Sequence, residues 1–383
     1  MISIGIICEY NPFHLGHARQ IHLIRRMFEE PVCIVCIMSG NYVQRGMPAM
    51  WDKTTRAAAA LACGADLVLE LPITGVLQSA EGFAGAGVDI LNKLGCMDYI
   101  SFGAECGSAE TLMKFARRMD SSEFAEKLRS GLDLGLPYAA ARQQALNDPD
   151  GLLHSPNNIL GLEYCRALLR TNSKIQPLAI RRNGDYHAEA PDAQEPSATS
   201  IRSLFPHGNW QDFVPIEAAN VLKKASRYDL RSGERAVLAR LRALDENEWE
   251  QCAHGSEGLW SKVMHASRNE ASLEDILTAA KSKRYPRTRL QRLLLCAYLG
   301  ISEANLKQDI PYVRILGAAA AGREVLRKAK QCEQITLINS GETPANNAYY
   351  RLECRASDLY TLFCEQERLP SCGTEQTRRI LLP

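Results

Sequence analysis

The sequence predicts an α/β protein, with a parallel sheet in its first half and a mainly helical second half. Two patterns carry this reading. Up to residue 181, short apolar runs without polar alternation, as in strands buried on both faces, are separated by stretches of helical periodicity. Beyond about Phe213 strand signals thin out and helical periodicity continues through Gly341. In order, Ile2–Cys8 reads as a strand, Leu15–Phe28 as a basic amphipathic helix and Val32–Met38 as a second strand. Asp52–Cys63 is an Ala-rich helix stopped by Gly64, and Ala65–Leu71 a third strand closed by Pro72. Ala80–Leu94 is a helix, Tyr99–Phe102 a fourth strand and Ile175–Arg181 another, after helices at Thr111–Met119, Phe124–Leu132, Tyr138–Asn147 and Asn158–Arg170. Pro206, Gly208 and Pro215 break the pattern, so domains of residues 1–212 and 213–383 are expected.

Composition narrows the class. The chain has 383 residues, a length that suits two domains. Its 45 Lys+Arg stand against 44 Asp+Glu, a net charge of +1 that excludes both a globally basic nucleic-acid coat and an acidic disordered chain. No apolar run approaches the roughly 18–20 residues of a membrane helix, so no membrane partner is expected. Met1–Glu9 lacks a basic n-region and reads as a core strand rather than a signal peptide. The 13 cysteines are scattered, many in apolar stretches, and Cys33 and Cys36 share a β-branched run without a second CxxC or a nearby His pair. They read as core thiols of a cytoplasmic protein rather than as disulfides or a metal site.

The turn after the first strand carries the chemistry. Glu9-Tyr10-Asn11-Pro12-Phe13-His14-Leu15-Gly16-His17 joins that strand to a helix. In an open α/β sheet ligands bind beyond the carboxyl ends of the strands. A helix N-terminus there offers unpaired N–H groups and the positive end of a dipole, which suits phosphate. Two imidazoles straddling Gly16 add donors, and no acid or third histidine nearby favours zinc. A second segment, Ser197-Ala198-Thr199-Ser200-Ile201-Arg202, has N-cap and phosphate-binding residue types, with Arg202 placed to neutralise a leaving pyrophosphate; alone it reads more readily as an ordinary capped helix, and the phosphate reading prevails only beside the first motif.

His14-Leu15-Gly16-His17 after a first strand resembles the HIGH motif of the nucleotidylyltransferase superfamily, which implies a Rossmann-like sheet that binds ATP and forms adenylates. Gly5–His17, Met38–Gly46, Asp52–Arg56, Gly64–Pro72, Ser101–Glu105, Ser155–Gly161 and Ile180–His187 together resemble the tRNA(Met) cytidine acetate ligases, as do Tyr285–Leu290 and Ser357–Tyr360. The resemblance spans nearly the whole chain. It implies two steps: acetate attacks the α-phosphate of ATP to give acetyl-adenylate and pyrophosphate, and the acetyl group passes to N4 of the wobble cytidine of elongator tRNA(Met). Carried over by motif, the ATP site comprises Ile7, Cys8, Glu9, Tyr10, Asn11, Pro12, Phe13, His14, Leu15, Gly16, His17, Ala18, Arg19 and Gln20, with Gly103, Asn157 and Arg182. Asn158 and Arg181 compete for the last two places. Ser197, Thr199 and Ser200 complete the ATP set, and His14, His17 and Arg202 are the expected catalytic donors, with Mg²⁺ bridging phosphates. Position 15 is Leu where many relatives are expected to carry a polar residue such as Asn. Gln44-Arg45-Gly46 and Asp52, Lys53 and Arg56 fit either an acetate or cytidine pocket or a turn and a capped helix with solvated charges.

Charge is uneven along the chain. Residues 281–330 hold 12 Lys+Arg and three acids, so this segment is +9 and the remainder −8. Such a stripe suits a polyanion partner, although basic helices are often merely solvated. Lys283, Arg284, Tyr285, Arg287 and Arg289 are the candidate RNA contacts, Tyr285 as a stacking surface for an unpaired base. The competing classes are a nucleotidylyltransferase acting on a small phosphorylated substrate and a non-catalytic RNA-binding protein with a nucleotide-binding domain.

Overall fold

A computed structural model describes residues 1–383 except 149–150, 183–195, 206, 283, 340, 345–346 and 383. The expected contact Lys283, the break at Pro206 and the 183–187 part of the family-like segments lie outside the described residues.

The central apolar runs form strands because nearly every residue in them is covered on both faces, whereas the strand Gln176–Arg181 at the sheet edge buries only Ile180. β1 (Ile2–Cys8) pairs in parallel with β2 (Val32–Ser39), from Ile2 opposite Val32 to Cys8 opposite Met38. β3 (Tyr42–Val43) and β4 (Met47–Pro48) make a small antiparallel hairpin that the sequence reading did not anticipate. β5 (Leu67–Leu71), β6 (Tyr99–Ala104), β7 (Gln176–Arg181), β8 (Tyr312–Ala318) and β9 (Thr336–Ile338) complete a seven-stranded sheet of order β7-β6-β1-β2-β5-β8-β9. The chain builds outward from β1 through β2 to β5, then crosses to the other side for β6 and β7. β1 and β6 therefore flank a point where strand order reverses, the place where such sheets open a crevice. The helices α1 (Leu15–Met27), α2 (Lys53–Ala62) and α4 (Ala80–Lys93) follow the expected order in the N-terminal part, and a short helix α3 (Ile73–Val76) that the sequence reading did not include precedes α4. Cys33 and Cys36 are fully buried and belong to different apolar clusters, which separates the two thiols.

The second half differs from its sequence reading. β8 lies antiparallel to β5, with β9 parallel to β8, so the sheet is mixed and draws strands from both sides of the expected boundary near residue 213. Arg314 disguises β8, since a charge inside an apolar run reads as surface. It is buried, 3 % exposed, because Glu375 and Glu70 reach its guanidinium at 3.0 and 3.6 Å. Neither acid is near it in sequence.

Candidate active site

β1 ends at Cys8, and two arginines fix the turn beyond it. Arg56, fully buried, donates to the carbonyls of Glu9, Gly40, Ser39 and Trp51 and to Ser39 Oγ. Arg202 donates to the Asn11 carbonyl at 2.6 Å and to Thr199 Oγ1 at 3.1 Å, while Asn11 Oδ1 accepts the Met50 N–H at 2.9 Å. Arg56 and Lys53 are thus neither cleft residues nor solvated charges, and both belong to the packing that supports the turn. Asp52 is the N-cap of α2, its carboxylate accepting the Thr55 N–H at 2.7 Å.

The two histidines cap α1 reciprocally. Nδ1 of His14 accepts the Gly16 N–H at 3.1 Å, and Nδ1 of His17 accepts the His14 N–H at 3.2 Å. This is a capping box built from imidazoles. The rings stack with centroids 3.6 Å apart. With both Nδ1 atoms accepting, the neutral rings carry their proton on Nε2 and present it as a donor. Burial holds the His14 imidazole well below its ordinary range, helped by His17, Arg182 and Arg202. Burial, and then Arg182, take His17 down to about 3. Both rings are neutral donors near pH 7, so charge for an incoming anion comes from arginine.

A cleft of about 330 Å³ opens here at the carboxyl ends of β1, β6 and β7. It gathers most of the expected residues: Ile7 to Asn11, His14, Gly16, His17, Arg19, Gln20, Gly103, Asn157, Arg182 and Ser197. Pro12, Phe13, Leu15, Ala18, Thr199, Ser200 and Arg202 lie outside its lining. Phe13 is buried against Tyr10 and His17, with ring centroids 4.8 and 5.5 Å away. The hydroxyls of Ser197 and Ser200 are engaged in capping the helix Ala198–Ser203: Ser197 Oγ accepts the Ser200 N–H at 3.0 Å, and Ser200 Oγ donates to the Ser197 carbonyl at 3.0 Å.

Geometry separates the asparagines but not the arginines, since Arg181 and Arg182 both line the cleft. Asn157 lines the cleft and donates to Glu105 Oε1 at 2.7 Å. Asn158 is buried, accepting the Cys106 N–H and donating to the Leu152 carbonyl, so it serves the fold. Arg182 lays its stem across Gly103, where a Cβ would sit 2.6 Å from Arg182 Cδ, whereas the Arg181 stem lies over Gly107. Gly103→Ala is expected to push the Arg182 stem off the end of β6 and raise KM for ATP about tenfold, the value of one charge-assisted hydrogen bond. Steady-state kinetics with varied ATP check this.

Sequence reading missed several walls of the cleft. Ala80 and Phe83 come from α4, and Leu160 and Tyr164 join Asn157 on the helix Pro156–Arg170. The spacing of Asn157, Leu160 and Tyr164 puts them on one helical face, a signal present in the sequence but shared by any core helix. Gln44 and Arg45 also reach the cleft, from the turn between β3 and β4.

The basic stripe is less bare than its charge count implies. Arg292 and Arg314 are buried. Arg287 makes a two-pronged pair with Glu274, Arg284 meets Glu257 at 3.0 Å, and Arg289 lies 3.8 Å from Glu257. Tyr285 sits beneath the guanidinium groups of Arg284 and Arg289, at 5.7 and 5.2 Å. Glu257 and Glu274 come from outside residues 281–330, so counting along the chain overstates the local field.

A cleft of this volume at the reversal point of the sheet, floored by a histidine-capped helix, defines a nucleotidyl transferase of the HIGH type. The family model described as HIGH Nucleotidyl Transferase matches residues 1–374. Within that class the chain belongs to the tRNA(Met) cytidine acetate ligase family. It is 36% identical to the protein of that name from Clostridium perfringens, over 93% of this chain and 94% of the relative. It is 34% identical to that from Acetivibrio thermocellus over the full length of both. Among solved structures, Thermotoga maritima TmcAL bound with alpha-thio ATP matches all of both chains, at 27% identity and a TM-score of 0.88.

Proposed function

We infer that this protein is an ATP-dependent ligase that acetylates N4 of the wobble cytidine of elongator tRNA(Met). The observation that carries the reading is the paired imidazole cap at the end of β1, set in a chain that matches the ligase family from end to end. In the first step an acetate oxygen attacks the α-phosphorus of ATP, the bond to the bridging oxygen breaks, and pyrophosphate leaves. In the second, the cytidine N4 amine attacks the acetyl carbonyl, AMP departs, and N4 loses a proton. Two anions meet in the first step, so the site must align them and offset charge more than supply a nucleophile. His14 and His17 donate their Nε2–H groups to phosphate oxygens, and Arg182 supplies positive charge from the end of β7. Arg202 acts from behind the turn: it holds the Asn11 carbonyl and thereby sets where the imidazoles stand. Residues 1–212 form the catalytic part and residues 213–383 the part that grips RNA, the two joined through β8 and β9.

Among the described residues no group of three or more His, Cys, Asp or Glu side chains comes together to hold a metal ion. Mg²⁺ would enter with the nucleotide, where it would offset phosphate charge. No described helix is long and apolar enough to cross a membrane. The thirteen free thiols are consistent with the reducing cytoplasm.

Incubation with ATP, labelled acetate and in-vitro-transcribed elongator tRNA(Met) tests the reading. Acetyl label in the tRNA with pyrophosphate released is the expected result. Label confined to a soluble product would point to a small-substrate nucleotidylyltransferase, and no turnover to a binding protein.

A further inference from the structure

The turn between β3 and β4 touches both the adenylation turn and the basic helix Arg287–Leu299. On one side the Gln44 N–H donates to Glu9 Oε1 at 2.7 Å, and Gln44 Nε2 donates to the Gln78 carbonyl at 2.8 Å. On the other, Gly46 adopts φ +79° and packs directly on the basic helix: a Cβ there would lie 2.5 Å from the Arg292 nitrogen. Only glycine combines that conformation with so close a backbone approach. Neighbouring contacts brace the same seam. Gln78 Nε2 donates to the Leu306 carbonyl at 2.7 Å, His254 Nε2 lies 2.8 Å from the Leu77 carbonyl, and Arg289 Nε donates to the His254 carbonyl at 3.3 Å. The turn is held from two directions, and its tip carries Arg45, exposed to solvent and on the wall of the cleft.

We propose that Arg45 receives a backbone phosphate of the RNA where the strand passes from the Tyr285–Arg289 surface into the cleft. The proposal rests on the acetyl-transfer reading for its partner. An arginine fork matches phosphate oxygens in two-pronged fashion and keeps its charge at every working pH. Its anchorage differs from that of the nucleotide donors: Arg182 enters from β7 and the histidines from α1, whereas Arg45 stands on the element that abuts the basic helix. A rigid turn at this place lets RNA docking and entry of the target cytidine share one contact, at little conformational cost.

The test compares wild type, Arg45→Gln and Arg45→Lys with in-vitro-transcribed elongator tRNA(Met). Arg45→Gln is expected to raise KM for the tRNA about tenfold and KM for ATP by much less, the size of one charge-assisted hydrogen bond. The plot of log affinity against log salt should become shallower by roughly 0.7–0.9, the signature of one lost phosphate contact, and Arg45→Lys should restore most of that slope. A misplaced turn without a lost phosphate contact would leave the slope alone. An unchanged salt slope with unchanged tRNA KM overturns the proposal, as does an ATP KM that rises as much as the tRNA KM. Acetate-dependent pyrophosphate release by the wild type, measured without tRNA, reports on the acetyl-transfer reading separately.

Discussion

His17→Ala is expected to lose acetate-dependent pyrophosphate release by a factor on the order of 10²–10³, the usual cost of deleting one preorganised donor to a developing charge. Removing the ring takes away the Nε2–H donor and also the Nδ1 acceptor that satisfies the His14 N–H. The lost cap costs about 1 kcal/mol of helix stability, too little to unfold the chain. The variant should melt as a folded protein and still bind tRNA, and pyrophosphate release at a pH-stat separates these effects. Undiminished release would refute the assignment of the cleft. The pH profile carries a second sign. Burial and Arg182 hold the free His17 imidazole down to about 3, so activity should show no step between pH 8 and 6 from its protonation. A donor acting as imidazolium would instead show activity rising as pH fell through the ordinary histidine range.

Lys53→Met is expected to destabilise the protein by about 3–5 kcal/mol, the cost of leaving buried carboxylates without their cation. Lys53 is 1 % exposed and reaches Glu70 at 2.6 Å and Glu375 at 2.7 Å, while Arg314 closes the cluster from β8. Lys53 and then Arg378 and Arg314 offset the burial of Glu375 and take its carboxyl down to about 2. Glu353, whose carboxyl accepts the Ile73 N–H, is pushed up to about 8 by burial and by Glu70, so near pH 7 it stays protonated and Glu70 and Glu375 are the carboxylates that face Lys53 and the arginines. Thermal or urea unfolding checks the magnitude. The double variant Lys53→Met/Glu375→Gln should recover part of the loss, because one stranded carboxylate is gone. Equal stability of Lys53→Met and wild type would show that the cluster is not a closed charge network. This cluster ties the C-terminal residues to α2, and Arg56 on that helix in turn holds the Glu9 carbonyl, so its loss is also expected to loosen the adenylation turn.

Much of the site was readable in one dimension because it lies on one turn. His14, Gly16 and His17 are adjacent in sequence, a strand runs into them and a helix leaves, so local rules suffice to place phosphate chemistry there. The family resemblance extends that reading to Gly103, Asn157 and Arg182, but the choice of Asn157 over Asn158 needed the direction each side chain takes from its helix. Thr199, Ser200 and Arg202 show the limit of residue type. Two hydroxyls and an arginine near a phosphate motif suit a ligand, yet Arg202 holds Asn11, Thr199 accepts from it, and Ser200 closes its own helix. The same limit applies to Lys53 and Arg56, whose partners Glu70, Glu375, Ser39 and Gly40 are set by packing.

By itself the sequence determined the alternation of strands and helices up to Arg181, the turn that carries the imidazoles, and the ligase family. These depend on periodicity and on motifs a few residues long. Only the tertiary structure decided that Tyr312–Ala318 joins the sheet antiparallel to β5, that Arg314 and Arg292 are interior, and that Glu257 and Glu274 temper the basic stripe. It also decided that the Gln44–Gly46 turn spans from Glu9 to the basic helix. The physical reason is common to all of these. Whether a charge is buried, paired or free to meet a ligand depends on which distant segments pack against it, and that is a property of the fold.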